Sequence, residues 1–321
     1  MREQMRRQTG LTLLELVVSL LVMTILTSVA ITSVSGIQEQ ARYEKTVRRL
    51  DEFKRAIVGD GDWSQGIRAY AFDMGTLPPN LRLLAMAPVT AEMRWSDAVT
   101  FIGPVSIHMG VGWRGPYLST TASPDDPGAL RDGFGGTGDC DGDGVPDCDT
   151  SLDTANYGWY YAPFDGVSLT VRSHGADALA GPAGICGGDN DYEEDCERKI
   201  VLNDWTIAPP FSVSVRFLSA DADTNAHRLC LRIYHRKTDT DNNVNNNIAA
   251  LSPVTSRSLD VVTGLTVSWN YDTPLPAGQN HLAVVECDGG ITDSTVALYP
   301  PGKFPVAVDM RPGSVTPVID W

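Results

Sequence analysis

The feature that most constrains this chain is an apolar run near its start. From Leu11 to Val34 the sequence reads LTLLELVVSLLVMTILTSVAITSV, with Glu15 as its single charge. A stretch of about 20 apolar residues crosses a bilayer as one helix, because a helix satisfies its own backbone N–H and C=O groups. The residues ahead of it, MREQMRRQTG, are basic and end in Gly10. Arg2, Arg6 and Arg7 on that side orient the run with its start in the cytoplasm and the rest of the chain outside. A secretory signal carries its cleavage site after the apolar run. Here the small residue stands before it, so a cut after Gly10 leaves the helix in place. Glu15 is the second anomaly. A carboxylate in hydrocarbon is costly and needs a partner, so it reads as a functional group rather than a tolerated one.

Gly10-Leu11-Thr12-Leu13-Leu14-Glu15 resembles the class III signal of type IV prepilins and type II secretion pseudopilins. The resemblance implies that a prepilin peptidase cuts after Gly10 and methylates the new terminus at Leu11. It also implies that Glu15 pairs with the N-terminal amine of a neighbouring subunit during assembly. The family more often has phenylalanine where this chain has Leu11.

The helix is expected to continue to Val58, about 70 Å at ~1.5 Å per residue. Ile37, Ala41, Val47, Leu50, Phe53 and Ile57 recur at helical spacing and give it an apolar face, before Gly59-Asp60-Gly61 breaks the pattern. Residues 59–205 then resemble the globular head of major pseudopilins in ordered blocks. These are 67–86, Gly112-Trp113-Arg114-Gly115-Pro116-Tyr117-Leu118, Asp132-Gly133-Phe134-Gly135, Tyr157-Gly158-Trp159-Tyr160-Tyr161 and Ser173-His174-Gly175-Ala176-Asp177. Glycine and proline in these blocks set turns. The aromatics of 157–161 alternate as on a strand.

Two acidic loops interrupt the head. In the first, Asp139, Asp141, Asp143 and Asp147 take the positions of alternate ligands in an EF-hand-like loop. Gly144 permits the turn, Val145 offers its carbonyl and Asp149 stands in for the missing final glutamate. The pattern also resembles a thrombospondin type 3 calcium repeat; a solvated loop closed by cysteines is the alternative. For the second loop, resemblance to the calcium site of major pseudopilins implies Ser173, Asp177, Asp189 and Asp191 as ligands, against a plain exposed charge run. Calcium in either loop would be structural.

The six cysteines include no CxxC pair and no histidine at zinc-ligand spacing, which favours disulfides in an oxidising compartment over zinc. The simplest pairing by neighbourhood is Cys140–Cys148, Cys186–Cys196 and Cys230–Cys287, though sequence alone leaves it open. From 206 to 321, runs such as Phe211–Phe217, Leu229–Tyr234, Leu265–Tyr271 and His281–Cys287 are read as alternating apolar and polar residues between turn signals, as in a small β-sandwich. The fold class expected is therefore α+β. It comprises a leader at 1–10, a pilin helix at 11–58 with its membrane span at 11–34, a head at 59–205 on a small antiparallel sheet, and a sandwich-like extension at 206–321.

The formal net charge of −15 argues against nucleic acid as a partner. Loss of residues 1–10 removes three arginines and one glutamate, leaving −17. The expected partners are other pilin-like subunits, the prepilin peptidase and an inner-membrane assembly platform. The expected place is the inner membrane, with the C-terminal domains in the periplasm. A secretion pseudopilus subunit, a minor pilin displaying its β-domain for adhesion, and a membrane-tethered enzyme are the three functional classes considered. No nucleophile–base motif supports the third.

Overall fold

The computed structural model describes residues 13–59, 68–88, 94–102, 105–120, 123, 126, 129–135, 155–162, 167–175, 183–184, 195–219, 227–237, 248–259, 261–287, 298–300, 303–313 and 318–321; side chains at 29–35, 183–184 and 195 are outside the description. Helix α1 (Leu13–Val58) runs 46 residues without a break. It ends where Gly59 turns to a φ of +80° and donates its N–H to Arg55 O at 2.8 Å, a left-handed stop that glycine takes without a steric penalty. The apolar face expected from Ile37 onward meets the head only near the helix's end. Ile37 is 66% exposed, whereas Thr46, Leu50, Phe53 and Ile57 are buried.

Two short helices, α2 (Tyr70–Met74) and α3 (Arg82–Ala85), follow, then a hairpin of β1 (Ser96–Ile102) and β2 (Val105–Val111). The head sheet is β3 (Tyr160–Ala162), β4 (Leu169–Ser173), β5 (Ala183–Gly184) and β6 (Asp195–Ile200), ordered β3-β4-β6-β5. The β5–β6 pair is parallel and the other two pairs are antiparallel. The strand expected over 157–161 begins only at Tyr160, because Tyr157 takes a positive φ of 57° and turns the chain inward. That turn buries Trp159 edge-on against Phe53 of α1, with ring centroids 5.2 Å apart. The Trp159 indole N–H donates to Leu130 O at 2.8 Å. Gly133 lies directly against α1. A Cβ there would fall 1.8 Å from Arg42 O, and its N–H donates to the buried Thr46 hydroxyl at 2.8 Å.

Past α4 (Leu202–Trp205), strand β7 (Thr206–Ile207) pairs with β13 (Leu275–Pro276). Two larger sheets follow. One is built from β9 (His227–Arg236), β10 (Ile248–Leu251), β11 (Arg257–Leu259), β14 (Gly278–Glu286) and β15 (Val306–Met310), with β9 and β14 at its centre. The other is β12 (Thr266–Tyr271), β8 (Phe211–Arg216) and β16 (Val318–Asp320), in that order. Val213, Val215, Val267 and Trp269 from the smaller sheet share one core with Leu229, Leu231, Ile233, Leu282 and Val284 from the larger. Tyr271 joins the two, donating its hydroxyl to Leu231 O at 2.5 Å. The opposite face of β9 and β14 is covered as well. Cys230, Tyr234, Ala283 and Val285 pack with Ala98, Ile102, Ile107, Met109 and Val111 of the β1–β2 hairpin. Cys230 and Cys287 are bonded, their Cα atoms 6.0 Å apart.

One guanidinium ties the head to this C-terminal region. Arg236, at the end of β9, donates Nε–H to Gly110 O and an Nη1 hydrogen to Phe72 O, both at 2.7 Å. Its Nη1 also lies 3.6 Å from the buried Asp73 carboxylate. Asp73 accepts from the Tyr117 hydroxyl at 3.0 Å and has Arg114 Nε at 3.9 Å. Burial raises the Asp73 pKa, an effect the Arg236 and Arg114 charges oppose. Gly75 is required beside this contact, since a Cβ there would meet Arg236 O at 2.3 Å and its φ is +69°.

Arg236→Ala strips the buried carboxylate of a guanidinium, and such a loss costs about 3–5 kcal/mol. Urea melts of the two proteins are expected to differ by that amount. A pH dependence also follows. Burial lowers the pKa of His235, whose Nδ1–H donates to Arg236 O, and that of His281. Below about pH 6.5 the unfolded chain binds protons that the folded chain resists, so stability is present near pH 7 and falls as pH drops. His281→Gln is expected to flatten the stability slope between about pH 7 and pH 5.

Candidate functional site

The N-terminal part of α1 is built unlike the rest of the molecule. Leu13, Leu14, Leu16, Val17, Leu20, Leu21, Met23, Ile25 and Leu26 are each more than half exposed or close to it, Leu13 reaching 83%. Monomeric proteins rarely expose contiguous apolar patches beyond a few hundred Å², so this face is made to be covered. Glu15 lies in the first turn of the helix, where a carboxylate is favoured by the helix dipole. Its backbone oxygen accepts from Ser19 Oγ at 2.7 Å, and Thr24 and Thr27 bond back to Leu21 O and Met23 O in the same way. The hydroxyls of Ser19, Thr24 and Thr27 are thus satisfied within the helix. Among the described residues no helix is long and apolar enough to cross a membrane. The described apolar side chains run from Leu13 to Ser28, and those of the remaining expected span, Leu11, Thr12 and 29–34, lie outside them. Gly10 and Leu11, the expected processing residues, are outside the described residues too.

Of the expected calcium ligands, Asp139, Asp141, Asp143, Val145, Asp147 and Asp149 of the first loop, and Asp177, Asp189 and Asp191 of the second, lie outside the described residues. So do Cys140, Cys148 and Cys186. Cys196 is disulfide-bonded. Ser173 is described and 1% exposed. Its hydroxyl donates to Asp132 Oδ2 at 2.5 Å and accepts from Gly175 N–H at 3.3 Å. Asp132 Oδ1 accepts from Gly135 N–H at 2.7 Å. The end of β4 is therefore stitched to the 132–135 turn, which in turn lies on α1 through Gly133. The resemblance to major pseudopilins implied Ser173 as a calcium ligand, and nothing in the sequence linked it to Asp132, 41 residues earlier.

The hairpin holds another arrangement that spacing did not reveal. His108 Nδ1 is 2.8 Å from Asp97 Oδ2, and His108 Nε2 is 3.2 Å from Ser106 Oγ. The histidine and aspartate side chains are 58% and 62% exposed, so water competes for each of these bonds.

One comparison bears on all of this. Residues 5–31 match the prokaryotic N-terminal methylation motif. The match takes in the second half of the basic leader, with Arg6 and Arg7, then Gly10, Glu15 and the apolar run as far as Ile31. The chain thus carries a prepilin-type signal, which fits a type IV pilin-like subunit with a membrane-anchored N-terminus, processed by a prepilin peptidase. No curated protein matches the chain. A solved structure described as "Trapped Toxin" aligns with 8% identity and a TM-score of 0.16, over 38% of this chain and 21% of that one. A likeness that low carries no argument about the fold.

The Ser173–Asp132 bond yields a discriminating test. Ser173→Ala leaves a buried carboxylate oxygen without its donor and is expected to cost about 1–3 kcal/mol. The loss is expected in calorimetry with and without a calcium chelator. A loss seen only with calcium present would instead make Ser173 a metal ligand.

Proposed function

We propose that this chain is a pilin-like structural subunit of a type II secretion pseudopilus, cut after Gly10 and assembled through α1 to support protein export. The observation that carries the reading is the coincidence of the methylation motif at 5–31 with an apolar helical face exposed along its length from Leu13 to Leu26. The motif marks a helix that is kept after processing, and the exposure means that helix needs a bilayer first and neighbouring helices afterwards. In a filament core Glu15 meets the amine at Leu11 of the next subunit, which gives the buried acid its partner. The head blocks that resemble major pseudopilins favour secretion over adhesion. On this reading the chain passes once through the inner membrane, its C-terminal regions stand in the periplasm, and calcium rigidifies one or both acidic loops.

A minor type IV pilin is the second reading, and the C-terminal sheets favour it. They are anchored to the head by Arg236 and by the buried face of the hairpin, so the chain presents a second body at a fixed angle. A bulky fixed body suits a tip or low-copy position.

Intact mass and N-terminal sequencing of membrane-extracted protein test the shared core of both readings. With active prepilin peptidase the chain is expected to begin at Leu11 with a methylated amine, and without it at Met1. Glu15→Val is expected to be processed normally yet fail to enter filaments. Retention of residues 1–10 in the presence of active peptidase overturns the proposal.

A further inference from the structure

A cavity of about 440 Å³ lies where α1 meets the head, lined by Arg49, Glu52 and Arg55 of the helix with Arg68, Tyr117 and Ser119. Three guanidiniums face one carboxylate there, in a chain whose net charge is −15. Arg49 is engaged, its Nη1 2.7 Å from Glu52 Oε2. Arg55 donates Nε–H to the Asp51 backbone oxygen of its own helix at 3.4 Å, which leaves the guanidinium's other nitrogens to the cavity. Among the described residues no carboxylate forms an ion pair with Arg55 or Arg68. The Tyr117 hydroxyl, on the cavity wall, donates to Asp73, whose carboxylate also feels the Arg68 charge. Arg55 and Arg68 are both exposed on the same cavity, so their guanidiniums offer it N–H donors that one planar oxyanion can accept from together.

We propose that this pocket binds an oxyanion, a carboxylate or phosphate, held between Arg55 on α1 and Arg68 ahead of α2. Headgroups of the membrane holding the apolar run are out of reach, because Val34 and Arg49 are 15 residues apart on one helix, about 22 Å at ~1.5 Å per residue. Two sources share the remaining chemistry. One is an acidic side chain on a second copy of this chain, whose surface is rich in them; the other is a free anion such as phosphate. The inference stands apart from the filament reading, since the pocket exists in the single chain.

The test uses full-length processed protein in detergent micelles. Equilibrium dialysis with radiolabelled phosphate at constant ionic strength measures the free anion. A photoreactive benzoylphenylalanine replacing Ser119, with adducts mapped by mass spectrometry, captures a neighbouring chain. Phosphate binding, or adducts to an Asp- or Glu-bearing peptide of a second copy, is expected to weaken about tenfold or more in Arg55→Gln and Arg68→Gln. Arg55→Lys and Arg68→Lys are expected to retain part of it. Near-UV circular dichroism of each variant identifies any that has misfolded, and the Lys variants then carry the comparison. Whichever arm responds identifies the source. Phosphate binding and adduct yield that are both absent, or both indifferent to Arg55 and Arg68, overturn the proposal. Correct processing at Leu11 in the same sample shows that such a failure belongs to the pocket and not to the pilin-like reading.

Discussion

The Asp73 carboxylate, removed from water and faced by Arg236, Arg114 and Tyr117, is the contact that sets how β9 meets α2 and the β1–β2 hairpin. Ionised groups are expensive to bury, and a buried pair is not in itself a source of stability. What it supplies here is geometry. The Arg236 guanidinium reaches a carbonyl on α2, a carbonyl on β2 and the Asp73 carboxylate at once. Only one relative placement of those three elements satisfies it. Trp95 lies beside both arginines, with the Arg114 guanidinium 4.4 Å and that of Arg236 5.3 Å from its ring centroid. The ring also sits on Gly110, where any Cβ would collide with it at 2.2 Å. Small residues, an aromatic plate and two cations thus form a joint that leaves little room for sliding.

The joint explains a feature of the sequence beyond it. Strands at a surface alternate apolar and polar residues, while strands covered on both faces read as near-continuous apolar runs. The alternation expected of Leu229–Tyr234 and His281–Cys287 does not hold for this reason: Leu282–Val285 has no polar residue and Leu229–Tyr234 interrupts its apolar side chains only with Arg232, and both stretches are buried on both faces. Both belong to the central strands, which face the smaller sheet on one side and the head's hairpin on the other. In β12, which has one buried face, Val267, Trp269 and Tyr271 alternate strictly with exposed residues.

What could be read from the sequence follows from how local each signal is. The leader, Gly10, Glu15 and the apolar run are contiguous, and so the prepilin-type start was legible in full. The helix end at Val58 and the four long C-terminal strands were legible for the same reason, within three residues at either end. The pairing of Cys230 with Cys287 was only the simplest of those the sequence leaves open, and the bond forms where β9 and β14 lie side by side. Contacts across long separations were not legible. Nothing marks Arg236 as the partner of an aspartate 163 residues earlier, or Asp132 as the acceptor for Ser173. The aromatic block at 157–161 misled in detail, because its alternation suggests a strand where Tyr157 makes a turn that inserts Trp159 beneath α1. The cavity between Arg55 and Arg68 escaped for the simplest reason. Each arginine alone looks like an ordinary solvated charge.

The late docking of the head on α1 has a mechanical meaning. The helix touches the head only from about Tyr43 onward, so tension along α1 enters the body through one short stretch near its end. From there it passes by Phe53 and Trp159 into the head sheet, while α2, Asp73, Arg236 and β9 form a side branch off that path. The cystine between β9 and β14 sits beyond the joint, on the side branch, where it closes a loop that a pull on α1 does not stretch. A chain built this way can be drawn along its helix while the C-terminal sheets ride as unloaded cargo, free to keep whatever surface they present in one shape.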